Sequence, residues 1–138
     1  MAHTFGRRRA AVVAIGGAAG AGTRWAVLTW AGSSLFPWPV LALNIAGSVL
    51  LGVLLAEAWP HPSARLLLHD VAGIGFCGGL TTFSTFALEV VDLARDGHAQ
   101  MASAYAVLSV LGAIAGVMAG AAALRRLRAV TLPVEGRP

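Results

Sequence analysis

The chain has 138 residues, 57% hydrophobic and 12% charged, with a net charge of +4 and an isoelectric point near 11. Globular domains carry roughly 25% charged residues, so this composition excludes an ordinary soluble domain and points to the membrane. All ten basic residues are arginines, and the clusters RRR and RRLR lie at segment edges without interleaved aromatics, which suits juxtamembrane anchoring and excludes a nucleic-acid surface.

Four stretches are nearly free of charge, at about residues 10–31, 40–59, 66–91 and 101–124. Each is near or above the roughly 20 residues a helix needs to cross the hydrocarbon core. The expected fold is an all-α membrane protein of four transmembrane helices, forming one domain over residues 1–138. The opening MAHTFGRRRAAVVAIGGAAGAG has the arginines, apolar run and small residues of an export signal. Three further spans follow and leave almost nothing to fold outside, so it reads as the first span.

That span carries GGAAGAGTRW, with Gly16 and Gly20 one turn apart, a spacing that lets another backbone approach closely. Arg24 is costly inside an apolar segment unless it pairs or snorkels, and its expected role is structural, at the far interface or capping neighbouring carbonyls. GSSLFPWP then makes an uncharged turn, and Trp30, Trp38 and Trp59 stand at span ends as interfacial anchors.

The second span contains NIAGSVLLG, in which Asn44 and Ser48 share a face. Asparagine in hydrocarbon leaves donors and an acceptor unsatisfied, so Asn44 must meet another helix or water.

The third span holds GFCGGLTTFSTF at residues 75–86. Paired glycines weaken a helix, and Thr81, Thr82, Ser84 and Thr85 compete for backbone groups, so a break at membrane depth is expected. Such a break persists only when buried in protein or lining a cavity. Its freed carbonyls suit a hard cation such as sodium, and its amides and hydroxyls can donate to an anion. Phe83 and Phe86 lie on one face, where the usual role is core packing; beside a break and a donor-rich Asn44, their electropositive ring edges can line a path for a small anion.

The fourth span places glycine at 112, 116 and 120, a stripe that reads as a tight helix contact, and sets Tyr105 and Ser109 one turn apart as a short polar row. The single Cys77 can form no intrachain disulfide. His3, His61, His69 and His98 lie near ends or loops without ligand spacing and read as solvated or interfacial. With four spans, Arg7, Arg8, Arg9, Arg65, Arg125, Arg126, Arg128 and Arg137 share one side and only Arg95 lies on the other, which puts both termini in the cytoplasm by the positive-inside rule.

GGAAGAGTRW, NIAGSVLLG and above all GFCGGLTTFSTF resemble the bacterial fluoride channel family, Fluc or CrcB, through all four spans. The resemblance implies a dual-pore dimer of antiparallel subunits in the cell inner membrane that exports fluoride passively, with a structural sodium ion at its centre. By motif, backbone carbonyls of Gly78 and Thr81 from both subunits would hold the sodium, and Asn44, Phe83 and Phe86 would line the fluoride path. Ser84, Thr85, Tyr105 and Ser109 fall on the family's polar track, and Glu89 where it has an acid near one end. Two positions depart from the pattern: Val40 and Ala113 stand where the family often has hydroxyl residues, which thins the polar path.

The sequence holds no nucleophile beside a histidine or acid and no phosphate loop, so an enzyme is not expected. The rival readings are a small proton-coupled exporter of cationic compounds, which needs an acid deep in the membrane, and a structural membrane subunit. The eight-to-one arginine bias also favours insertion one way only, beside an oppositely oriented paralogue, over an identical antiparallel partner.

Overall fold

The computed structural model describes residues 2–32, 34–56, 63 and 65–131, with side chains described for 6–32, 34–56, 63 and 68–130. Glu57, Trp59, His61 and Arg137 fall outside the described residues, as do the side chains of His3 and Arg65.

The described chain is all helical: α1 (Ala2–Trp30), α2 (Trp38–Leu55), α3 (Arg65–Cys77), α4 (Gly78–Leu80), α5 (Phe83–Arg95) and α6 (Ala99–Thr131). Four stretches are long and apolar enough to cross a membrane: Gly6–Trp30, Trp38–Leu55, Leu68–Arg95 and Ala99–Val130. The first and last helices outrun the apolar stretches read from sequence because arginine is a good helix former, so winding continues past the hydrocarbon. At 1.5 Å per residue, α6 spans roughly 50 Å against a core of about 30 Å, which carries Arg125, Arg126 and Arg128 beyond the apolar layer.

Two close pairs organise the bundle. α1 packs along α3 and α4, and α2 packs along α6. Both contacts are built on glycine: a Cβ on Gly16 or Gly20 would collide with the carbonyl of Val71 or Phe76, and one on Gly52 or Gly120 with that of Val117 or Val49. Backbones touch without intervening side chains, so small residues set the helix spacing.

α3 is wound more widely than an α-helix, with i to i+5 hydrogen bonding. Beyond α4 the backbone is extended, at Thr81 (φ −77°, ψ 154°) and Thr82 (φ −145°, ψ 122°), before α5 begins. Thr82 caps α5, its hydroxyl accepting from the Thr85 amide at 3.2 Å. The far end of α5 closes on Gly97 (φ +85°), with Gly97 N–H bonded to the Ala94 carbonyl and His98 N–H to that of Leu93, a turn whose left-handed residue favours glycine.

Near this turn Leu41, Leu93, Ala102 and Tyr105 form a buried cluster, flanked by Phe36, Ile45, Phe86, Val90 and Met101. Elsewhere large apolar side chains face outward, Ile15, Leu108, Leu111 and Met118 among them, as lipid-facing helices require. Trp30 and Trp38 are exposed at helix ends, where indoles suit the headgroup level.

Candidate functional site

Asn44, near the middle of α2, sits opposite the extended Thr81–Thr82 segment. Its Oδ1 accepts from the Thr82 amide at 2.8 Å and its Nδ2 donates to the Thr82 carbonyl at 3.1 Å. The carboxamide thus completes the hydrogen bonding of a peptide that has left the helix. One hydrogen on Nδ2 remains beyond that pair. Ser48, one turn on, donates to the Asn44 carbonyl at 2.8 Å.

The Thr82 hydroxyl anchors a compact polar knot. It donates to Thr85 Oγ1 at 3.0 Å and lies 3.3 Å from Ser84 Oγ. Thr81 Oγ1 donates to the Cys77 carbonyl at 2.9 Å, and the Thr81 carbonyl accepts from Arg24 Nη1 at 3.0 Å. Arg24 therefore meets its solvation need inside the protein, on the interrupted backbone.

A cavity of about 670 Å³ opens beside these groups. Its inner wall includes Asn44, Thr82, Phe83, Phe86, Ser109 and Ala113, and its other end Leu51, Leu55 and His69. Ser109 Oγ is buried with no hydrogen-bond partner among the described residues. The Phe83 and Phe86 rings stand 5.8 Å apart at 47°, Phe83 largely exposed. Behind Phe86 lies the fully buried Tyr105, ring centroids 5.4 Å apart, whose hydroxyl donates to Glu89 Oε2 at 2.6 Å.

The structure thus brings Asn44, Phe83, Phe86 and Ser109 onto one cavity, together with Gly78 and Thr81. Ser84 and Thr85 belong to the Thr82 knot, and Tyr105 to a hydrogen-bonded, half-buried pair with Glu89; none of these lines the cavity. The departures noted in sequence sit differently: Val40 is buried, while Ala113 lines the cavity with a methyl group that cannot donate.

Sequence reasoning missed a charged cluster at the start of the third span. Arg9 of α1 makes two hydrogen bonds to the buried Asp70 of α3, Nε to Oδ2 at 2.7 Å and Nη2 to Oδ1 at 2.8 Å. His69 Nδ1 lies 2.9 Å from Asp70 Oδ1. An acid inside an apolar stretch demands a cation, and that demand was the available signal. His69 is accordingly more than a solvated end residue.

Comparison with known proteins gives the family. The family described as CrcB-like protein, Camphor Resistance (CrcB), matches residues 11–121. A protein of Bordetella petrii named fluoride-specific ion channel FluC is 43% identical over 116 residues, covering 84% of this chain and 91% of that one. Relatives of the same name from Chromobacterium violaceum, 44% identical over 119 residues (84% and 94% covered), and Azotobacter vinelandii, 40% over 114 residues (78% and 90%), agree. A match that reaches into all four spans, with relatives this similar across nearly their whole length, shows that the chain belongs to the CrcB family.

Proposed function

We propose that the chain is a fluoride-specific ion channel that lowers cytoplasmic fluoride by passive export. One observation carries the reading: Asn44, Ser109 and the two phenylalanines converge on a single cavity that no carboxylate lines among the described residues. A small, strongly hydrated anion must be offered donors in place of water. The second Asn44 amide hydrogen and the partnerless Ser109 hydroxyl are such donors, and phenyl ring edges add positive potential without a fixed charge that would trap the ion. Tyr105 and Glu89, behind Phe86, continue the polar line towards the other end of the bundle. A proton-coupled exporter would need a deep acid, and none lines the cavity among the described residues.

The extended Thr81–Thr82 segment reads as a break in the third transmembrane helix at mid-membrane, stabilised by Asn44 and Arg24. A second subunit, identical or paralogous, would complete the unit in antiparallel orientation, giving two pores in the inner membrane of a bacterium. Exposed Phe83, Leu88 and Trp25, with open space beside Gly78, leave a face for it.

Structural sodium fits this face. The Thr82 amide, which a continuing helix would give to the Gly78 carbonyl, goes to Asn44 instead. The Thr81 carbonyl accepts from Arg24 and retains a second lone pair. The Gly78 and Thr81 carbonyls of the two subunits are the groups that would hold sodium, and the ion would supply positive charge among them.

The test is purified protein in liposomes loaded with potassium fluoride or potassium chloride, with valinomycin to release potassium. Fluoride leaves and chloride stays. Equal loss of both anions, or fluoride movement that requires a proton gradient, would sink the reading.

A further inference from the structure

We propose that His69 is the anion-collecting residue at the mouth of the cavity, its protonation drawing fluoride there so that conduction at low fluoride depends on pH. The inference rests on the fluoride reading and deepens it. His69 sits at the start of the third span, half-exposed, and among the described residues lining the cavity it is the one able to become a cation.

The charges around it are arranged so that its own is not cancelled. Asp70 on α3 is matched by Arg9 of α1 through two hydrogen bonds. α2 presents Leu51 and Leu55 to the same wall, α5 Phe83 and Phe86, and α6 Ser109, Val110 and Ala113. Among the described residues, therefore, only Arg9 and Asp70 face His69 with charge, and together they sum to zero. A neutral His69 leaves the cluster neutral, and a protonated one makes it +1.

Asp70 also decides which nitrogen carries hydrogen. Its carboxylate is an acceptor, so His69 Nδ1 donates to it at 2.9 Å. Nε2 is the nitrogen left outside that contact. In the neutral ring that atom is a lone pair, which repels an anion; protonation turns it into a charged donor. The switch therefore changes both the field and the hydrogen bonding at the mouth. Asp70 acts as a positioning residue.

Currents in planar bilayers test this, because neutral hydrogen fluoride carries none. With symmetric solutions at subsaturating fluoride, the unchanged channel carries more current at pH 6 than at pH 8, by up to about fourfold, the limit a full unit charge at about 5 Å gives in water. At saturating fluoride the ratio approaches one, since collection alters occupancy and not the passage beyond. His69→Gln gives a low current without pH dependence, and His69→Arg a high one without it. The proposal is overturned if His69→Gln keeps the pH dependence of the unchanged chain, or if the unchanged chain shows none. Absence of fluoride current at every pH would instead overturn the fluoride reading, and this proposal with it.

Discussion

On the fluoride reading, Asn44 serves two demands with one carboxamide. Two of its polar contacts go to Thr82 backbone groups, and the proposal gives the remaining amide hydrogen to the ion. Asn44→Asp keeps the acceptor for the Thr82 amide but sets a carboxylate against the Thr82 carbonyl and against any anion. Fluoride efflux should fall by about 10- to 100-fold, the scale of one or two unsatisfied buried polar groups. Phe83→Ile separates electrostatics from bulk: it preserves an apolar side chain and removes the ring quadrupole. Efflux should drop while elution as a folded membrane protein is unchanged; wild-type efflux from the folded variant would mean that Phe83 is packing only. Asn44 and the phenylalanines were legible as candidates because polar and aromatic residues beside paired glycines stand out in an apolar run. Arg9–Asp70 was not, since its partners are 61 positions apart and only the fold brings α1 against α3.

Each helix pair depends on where the chain omits side chains. The sequence showed glycine stripes in the first and fourth spans, but not their partners, which turn out to be α3 with α4 for the one and α2 for the other. Gly20→Ala and Gly79→Ala each drive a methyl group into a backbone carbonyl, of Phe76 and Gly17, which no rotamer change relieves. We expect each to cost about 1–3 kcal/mol, seen as a lower unfolding temperature in detergent, whereas Gly22→Ala, with open space around it, should be near neutral. Equal stability of all three would show that the α1 contact does not hold the bundle. The extended backbone at Thr81–Thr82 was more legible than the pairing, because glycine and hydroxyl residues act locally on the backbone. The wide winding of α3 had no such local sign in RLLLHDVAGIGFC.

The assembled molecule raises the question of how one sequence meets its partner. If sodium joins carbonyls of two subunits, exhaustive sodium removal should weaken the dimer and silence the channel together, and full activity without sodium would remove the ion from the account. Thr81→Ser should be mild in the same assay, because the carbonyl survives the change. Orientation is the harder matter. Identical antiparallel subunits require one chain to insert both ways, which is easiest when arginines are balanced across the membrane. Here Arg7, Arg8, Arg125, Arg126 and Arg128 lie at one end of the spans and Arg95 at the other. Pairing of Arg9 with Asp70 removes one charge from that count without reversing it. The first span and the insertion machinery can override such a bias, but these clusters lie within the distance at which it operates. The expectation is one-way insertion, with both termini cytoplasmic, and assembly with a related chain of opposite bias. A cysteine placed at the C-terminus of the chain expressed alone, with native Cys77 buried, should then resist an impermeant thiol reagent added from the periplasm. Labelling of about half the molecules would mean dual insertion under the positive-inside rule's exceptions, and the partner would be a second copy of this chain.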